Sequence, residues 1–294
     1  MKTTHRWMQG FGIVKEDKTM KSKKIYIWVR NCCLAGMFLL CIGFSSFIGC
    51  TREMQEEIQV VEDEEEMVEH LLKGMRKHET CFAFYYEGIE EDFRKYQERS
   101  YDYQDFLDKL AKRDGYLMGI VSGGCISLCG TKRKYVTIQF GYLTTNRQEK
   151  KMDKHIEKLV KKMEKGSRVN QILQVHNYLL SHMKYDSAYY SPYDALIKGK
   201  GMCMSYALAF QRIMQEMEIP CLYVKGKNHA WNMVKVGRYW YNVDVTWDDS
   251  GREKYRYFLK SDGDFPGHKR PASNLYKSLR IAKKSYLLRK KDMK

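Results

Sequence analysis

The chain has 294 residues, of which 44% are hydrophobic and 13% aromatic, so it can bury a sizeable core in one or two domains. Its 4 prolines argue against a long disordered linker. The formal net charge of +16 suits an anionic membrane face or an anionic polymer outside a cell and says little about fold. Nucleic acid is the least favoured anionic partner, because the sequence carries no motif that reads RNA or DNA.

Residues 1–50 have the pattern of a basic N-terminus followed by an export signal. Positive charges cluster after Met20, a candidate start residue, and residues 31–50 are an almost continuous run of apolar and small residues. The run ends in FIGC, which resembles a bacterial lipobox and makes Cys50 the candidate for lipid attachment. An uncleaved signal anchor and plain secretion stay open, since the run is nearly long enough to span a bilayer. All three alternatives predict export of the rest of the chain.

A short acidic segment and a small domain come next. Residues 51–66 are polar and strongly acidic, which is typical of a solvated tether. Residues 67–165 show the order helix, strand, helix, two strands and helix, which predicts a small α+β domain. Its strands are expected at CFAFYYEG, 116–129 and 134–142, and its last helix is very basic. No motif in this domain carries chemistry, so its role is not assigned.

Residues 166–270 predict a second domain, with a helical layer followed by an antiparallel sheet. One helix begins after Ser167, a plausible N-cap, and another runs from Cys203 to about Glu218. Strands are expected at CLYVKG, HAWNMVKV, RYWYNVDVTW and YRYFLKS. Residues 271–294 form a basic tail, predicted to be either a solvated terminal helix or a segment attracted to a membrane or polymer.

Five of the 9 cysteines lie beyond residue 50: Cys81, Cys125, Cys129, Cys203 and Cys221. Three of them, Cys81, Cys125 and Cys221, lie in apolar strand-like runs and are predicted to be small buried side chains. Cys125 and Cys129 have no further ligands at matching spacing, which argues against a zinc site, and they lack the Cys-x-x-Cys spacing of a redox pair.

Cys203 is the candidate nucleophile. The turn GKG at 199–201 delivers it to the first turn of a helix, where the macrodipole and unpaired backbone N–H groups favour a thiolate. His229 and Asp244 lie in two successive strand-like segments, and a hairpin would place them side by side as the base and its orienting group. The backbone N–H of Cys203 is the natural oxyanion donor, whereas the second donor is not assigned. This chemistry requires no metal ion and no other cofactor.

Three separated motifs, GKGMCMSYA, HAWN and YNVDVTWDD, together resemble the transglutaminase-like superfamily. That fold is a circularly related variant of the papain-like cysteine peptidases. The resemblance covers about residues 166–270 and implies a catalytic triad of Cys203, His229 and Asp244. Met204 and Ser205 depart from the residues usual at their positions, which bears on the mouth of the site and not on the triad.

Each motif residue also has a plain structural interpretation, since a cysteine at a helix start is often a core residue. The joint occurrence of three motifs in order favours catalysis. Residues adjacent to the motifs are the candidates for supporting the triad: Tyr206, Asn232 and Trp231. Other polar residues are expected to be structural: His176 and His182 in the helix ahead of the turn, and Asp248 and Asp249 as turn residues.

The sequence therefore predicts an exported, membrane-anchored enzyme that transfers acyl groups from amide bonds through an acyl-thioester. Water as acceptor gives a peptidase or amidase, and an amine gives transglutaminase-like cross-linking. Hydrolysis of cell-wall peptides or surface proteins is the favoured reaction, with an anionic wall polymer as a further partner. The alternative is a non-catalytic binding module with this fold at the cell surface. The oligomeric state is not predicted.

Overall fold

The computed structural model describes residues 11–14, 25–29, 58–88, 101–129, 134–163, 165–251 and 253–292. The predicted apolar run of the export signal, with Cys50, lies outside these residues, as do residues 51–57 of the predicted tether. Within the described ranges, no helix has the length and apolar character needed to cross a membrane. The chain divides into two compact units, one formed by residues 1–104 with 121–142 and the other by 105–120 with 143–294.

The first unit is built on a six-stranded sheet with the order β1-β2-β5-β6-β4-β3. Its strands are β1 (Phe11–Val14), β2 (Ile25–Val29), β3 (Val60–Val61), β4 (Cys81–Tyr86), β5 (Val121–Cys129) and β6 (Lys134–Tyr142). Neighbouring strands are antiparallel except β3 and β4, which are parallel. Strands β1 and β2 fall in the segment that the sequence assigned to the basic N-terminus. The IYIWV stretch of β2 alternates β-branched and aromatic residues, which suit a strand.

Helix α1 (Glu64–Met75) supplies the apolar face of the first unit. The Asp63 side chain caps it by accepting a hydrogen bond from the Glu66 N–H at 2.8 Å. Leu71 and Met75 are fully buried, as is Phe84 of β4. Cys81 was predicted to be a free buried thiol, but it is disulfide-bonded.

The second unit contains a helical layer and a three-stranded antiparallel sheet with the order β11-β10-β9. Its helices are the end of α2 (Tyr101–Arg113), α3 (Gly115–Ile120), α4 (Asn146–Lys162), α5 (Arg168–His182), α6 (Cys203–Glu216), α7 (Val245–Ser250) and α8 (Asn274–Lys277). Its strands are β7 (Lys184–Tyr185), β8 (Lys200–Gly201), β9 (Cys221–Lys225), β10 (Ala230–Val236) and β11 (Tyr239–Val243). The predicted α+β class, with helices preceding an antiparallel sheet, is confirmed.

Helix α6 lies at the centre of the second unit. Phe210 and Ile213 of α6 are fully buried, and they share a core cluster with Val175 of α5 and Val234 of β10. Burying each such side chain stabilises the fold by about 1.5–3 kcal/mol, so packing on both sides fixes the helix in place. The N-terminus of α6, where Cys203 lies, is thereby held at the edge of the sheet.

Helix α4 belongs to the second unit, whereas the predicted boundary placed it in the first domain. A capping box starts the helix. The Thr145 side chain accepts a hydrogen bond from the Gln148 N–H, and the Gln148 side chain accepts one from the Thr145 N–H. Met152 and Ile156 are its buried residues and share the core cluster of α5 and α6. Because most other residues of the helix are charged or polar, this narrow apolar stripe is difficult to recognise in the sequence.

Three predicted strands differ, in part or over their whole length, from the secondary structure that is observed. The run at 116–129 begins as helix α3, and the strand starts at Val121. Strand β11 ends at Val243, because the Asp244 side chain caps α7 by accepting from the Trp247 N–H at 3.1 Å. Residues 255–261 form turns with a single bridge between Lys260 and Asn242.

The C-terminal segment is not the solvated helix predicted as one of its two forms. It runs along β11, where Trp240 donates its N–H to the Arg280 carbonyl and accepts from the Ala282 N–H, both at 2.9 Å. Ala282 is buried and Tyr286 packs against the main core cluster. The segment therefore covers a sheet edge that would otherwise offer unpaired backbone groups.

Candidate active site

The turn that presents Cys203 is fixed by backbone hydrogen bonds. Strand β8 pairs in parallel with β7, and the Met202 N–H donates to the Tyr189 carbonyl at 2.9 Å. Gly199 has φ +66°, and a Cβ there would come within 2.6 Å of the His182 carbonyl oxygen, so the position requires glycine. Cys203 then becomes the first residue of α6, and no side chain caps that helix start. The N–H groups of Ser205 and Tyr206 donate to the Met202 carbonyl at 2.9 and 3.2 Å, so those of Cys203 and Met204 are the candidates for binding an oxyanion.

His229 and Asp244 meet at one end of the β10–β11 hairpin. His229 immediately precedes β10 and Asp244 immediately follows β11, and the two strands pair with Asn232 opposite Val243. The His229 Nε2 lies 2.6 Å from the Asp244 Oδ2. The Asp244 side chain is 1% exposed and that of His229 is 17% exposed, so the pair is largely shielded from water. The predicted juxtaposition of these two residues is present.

Electrostatic interactions connect His229 to both of its predicted partners. Burial acts to lower the pKa of His229, but hydrogen bonds with Asp244 and Cys203 outweigh it and raise that pKa to about 9. Because Nε2 is engaged by Asp244, Nδ1 is the nitrogen available to the Cys203 thiol. Burial acts to raise the pKa of Asp244, yet hydrogen bonds from His229 and His268 keep it below its ordinary value. At neutral pH the site therefore holds an imidazolium in contact with the Asp244 carboxylate and the Cys203 sulfur.

Aromatic side chains enclose the imidazole of His229. Trp247 stacks on it with ring centroids 5.2 Å apart and an interplanar angle of 29°, and Trp231 lies at 6.2 Å and 17°. The Trp231 indole is fixed by a 3.3 Å hydrogen bond from its Nε1 to the Asn242 Oδ1. Trp231 and Trp247 therefore both pack against the imidazole of His229.

His268 is a second histidine on the same carboxylate. Its Nε2 lies 2.8 Å from the Asp244 Oδ2, the oxygen that also contacts His229. The sequence offered only weak signals for this, because His268 is 24 residues beyond Asp244 and lies in a loop. Among the described residues, His229, Asp244 and His268 form a group whose possible ligand atoms lie within 4.8 Å of one another. The nitrogen–oxygen separations of 2.6 and 2.8 Å are those of hydrogen bonds, since ligands around tetrahedral zinc lie about 3.3 Å apart.

The three residues fall inside one stretch that matches a family model. Residues 157–245 match the model of the transglutaminase-like superfamily. The domain is transglutaminase-like. A solved structure titled "Crystal structure of a TGase" is similar at 14% sequence identity and a TM-score of 0.33, over 64% of this chain. The match covers 59% of that TGase, less than two thirds of its length. No curated protein matches the chain.

Tyr206 and Asn232 of the transglutaminase-like domain connect the elements that carry the three residues. The Tyr206 hydroxyl donates to the Asp249 Oδ2 at 2.6 Å, which connects α6 to α7. The Asn232 Nδ2 donates to the Ala207 carbonyl at 2.9 Å, which connects β10 to α6. Both residues therefore hold the helix bearing Cys203 against the strands bearing His229 and Asp244.

Asp248 has more than the turn role predicted for it. Its Oδ2 lies 2.9 Å from the His176 Nε2, and both side chains are completely buried. Its Oδ1 accepts a 2.8 Å hydrogen bond from the Tyr257 N–H. Burial raises the pKa of Asp248 above its ordinary value. The pair joins α5 to α7 of the transglutaminase-like domain, directly behind Asp244.

The pKa of His229 makes the stability of the domain depend on pH in a defined direction. The pKa in the folded state, about 9, lies above the ordinary value of 6.5, so folding takes up protons between these two values. The contribution of His229 to the free energy of unfolding is then complete below pH 6.5 and is lost as the pH rises through about 9. We expect urea titrations at pH 6, 7.5 and 9.5 to show that the free energy of unfolding falls more steeply with pH in the wild type than in His229→Gln. Parallel pH curves for the two proteins would contradict this assignment.

Proposed function

We propose that this chain is a cysteine-dependent acyl-transfer enzyme that acts on amide bonds. The observation that carries the proposal is the 2.6 Å contact between the His229 Nε2 and the Asp244 Oδ2, which leaves the other imidazole nitrogen to Cys203. A nucleophile, a base in contact with it and a third group that orients the base are the parts that amide chemistry requires. The match of residues 157–245 to the model of the transglutaminase-like superfamily supports the proposal, because the match spans all three residues.

The reaction begins with attack of the Cys203 Sγ, as a thiolate whose proton is on His229, on the carbonyl carbon of the amide. The negative charge that develops on the carbonyl oxygen is stabilised by backbone N–H groups at the start of α6. Protonated His229 then gives its proton to the leaving amine, the C–N bond breaks, and an acyl-thioester remains on Cys203. A water molecule or a second amine attacks the thioester, His229 takes up its proton, and the thiolate leaves. Asp244 keeps the imidazole oriented through both halves of the reaction.

For the acceptor we propose water, so that the enzyme is a peptidase or amidase, with an amine giving cross-linking by the same intermediate. We propose cell-wall peptides or surface proteins as substrates, with the basic surface attracted to an anionic wall polymer. Export is supported by the apolar run before Cys50 and by the disulfide at Cys81, since disulfides are typical of oxidising compartments. Membrane attachment through a lipid on Cys50 is tested by mass spectrometry of the mature N-terminus, and a mature chain that retains Met1 would exclude it.

Alkylation by iodoacetamide at pH 7, followed by peptide mapping, tests the enzymatic proposal. We expect Cys203 to react faster than the thiol of an unstructured peptide, and His229→Gln to remove that advantage. Cys221 provides the control within the same chain, because burial raises the pKa of its thiol well above the ordinary value and it should stay unmodified. If Cys203 reacts no faster than the peptide thiol and no amide is turned over, the chain is instead a binding module that keeps the fold.

A peptide library adds a direct observation of the intermediate. We expect an amide substrate to leave a covalent adduct on Cys203 whose mass equals that of the acyl fragment. If transamidation competes with hydrolysis, addition of an amine should shorten the lifetime of the adduct. The identity of the bound fragment would define the substrate, and the absence of any adduct from substrates that are turned over would exclude the thioester route.

A further inference from the structure

His268 is a buried histidine whose two ring nitrogens both face oxygen atoms. Its side chain is 1% exposed. The Nε2 lies 2.8 Å from the Asp244 Oδ2, and the Nδ1 lies 3.0 Å from the Pro266 carbonyl oxygen. A neutral imidazole has one donor nitrogen and one acceptor nitrogen, whereas a carbonyl and a carboxylate only accept. The contact with the Asp244 carboxylate therefore requires a proton on the Nε2 of His268.

The pocket that holds His268 is built for this side chain. Phe265 stacks on the imidazole at a centroid distance of 3.8 Å, and Trp247 and Trp231 lie at 4.3 and 4.9 Å. Gly267, with φ +80°, brings the loop so close that a Cβ there would lie 2.6 Å from the Trp247 ring. Only glycine adopts this backbone at that separation without strain. The loop therefore fixes the direction of both nitrogens of His268.

The carboxylate of Asp244 is held from three directions. Its Oδ1 accepts from the Trp247 N–H at 3.1 Å, and its Oδ2 contacts both His229 and His268. The titratable side chains that face His268 are Asp244, His229 at a ring distance of 5.3 Å, and Tyr257 at 5.7 Å. The remaining walls are aromatic, so charges in the pocket interact more strongly than in water.

We propose that His268 is a positioning residue of the acyl-transfer site, which donates from Nε2 to Asp244 and so holds the carboxylate ionised and aimed at His229. This inference rests on the proposed function only for its effect on rate. Without His268, the buried carboxylate of Asp244 loses one hydrogen-bond donor and is free to turn away from His229. Because His268 is buried and does not reach Cys203, its loss should lower kcat and leave KM nearly unchanged.

Two substitutions at position 268 separate positioning from packing. His268→Phe fills the aromatic pocket and has no donor, whereas His268→Gln places an amide N–H near the former Nε2. We expect His268→Phe to lower kcat, or the alkylation rate of Cys203, by about 10–100-fold, the effect of losing a charge-assisted hydrogen bond. We expect His268→Gln to recover at least about half of that loss on a logarithmic scale. The acid limb of the rate profile should move to higher pH in His268→Phe, because Asp244 loses a partner that favours its charged form.

His155→Gln is the matched control, since His155 contacts Tyr178 on the far helices and lies outside the site. It should leave the rate and its pH profile unchanged. If His268→Phe only lowers thermal stability and keeps the wild-type rate and profile below its melting temperature, His268 is structural and the proposal is overturned.

Nitrogen NMR of the wild-type protein with labelled histidine tests the same inference without any substrate and without relying on a folded variant. We expect the Nε2 of His268 to carry a proton, as its contact with the Asp244 carboxylate requires. A neutral ring with a bare Nε2 would overturn the proposal, as would a bare Nε2 that takes up Zn²⁺ during titration. If the NMR result holds while Cys203 proves unreactive, the proposed function fails and the hydrogen-bonding assignment of His268 stands.

Discussion

Cys203→Ala is expected to reduce hydrolysis and aminolysis of amides by about 10³-fold or more, the effect of removing a nucleophile that forms a covalent intermediate. Cys221 cannot take over, because desolvation raises the pKa of its thiol well above the ordinary value. The measurement is kcat/KM on a peptide substrate identified from the adduct described above. Cys203→Ser should also be nearly inactive, since a hydroxyl ionises far less readily than a thiol.

The control for this prediction is Cys221→Ala, which should retain the wild-type rate constant. All three variants should also show the wild-type melting profile within a few degrees, because Cys203 has few atoms to lose and lies at the helix end. Retained turnover in Cys203→Ala, with an intact fold, would show that amide chemistry in this protein does not use the thiol. The superfamily fold would then carry another function.

The order and spacing of three motifs were enough to predict which residues meet in the second unit. Each of Cys203, His229 and Asp244 lies at the end of a regular element, and element ends are marked in sequence by glycine, by strand alternation and by capping residues. The hairpin that aligns His229 with Asp244 could be inferred because the β10 and β11 segments are short, apolar and joined by Gly237. Local sequence patterns were therefore sufficient to predict the element ends at which Cys203, His229 and Asp244 lie.

Contacts that depend on loop paths were not predictable in this way. His268 reaches Asp244 because Gly267 adopts a left-handed conformation against Trp247, and nothing in the spacing of the motifs indicates that path. The place of α4 in the second unit depends on contacts of the same kind. The burial of Met152 and Ile156 of α4 is defined by the helices they pack against, and the excess of lysines on that helix conceals so narrow an apolar stripe.

Asp248→Ala is expected to lower the free energy of unfolding by about 3–5 kcal/mol. The substitution removes one partner of the completely buried pair of Asp248 and His176 and leaves the His176 Nε2 without its contact. Among the described residues the Nδ1 of His176 already has no hydrogen-bond partner, so the variant would leave both ring nitrogens of that residue buried without a partner there. The Tyr257 N–H would lose its acceptor as well. Urea unfolding followed by tryptophan fluorescence would measure the change.

The adjacent carboxylate provides the comparison for this prediction. Asp249→Ala removes a single hydrogen bond from the Tyr206 hydroxyl at a partly exposed position, so we expect a loss of about 1–2 kcal/mol. Asp248→Asn keeps the shape of the side chain and one acceptor, and it should fall between the two alanine variants. Equal losses for Asp248→Ala and Asp249→Ala would show that the His176 pair does not anchor α7. If the order holds, the second aspartate of the YNVDVTWDD motif supports the helix that Asp244 caps, and its role is stability rather than chemistry.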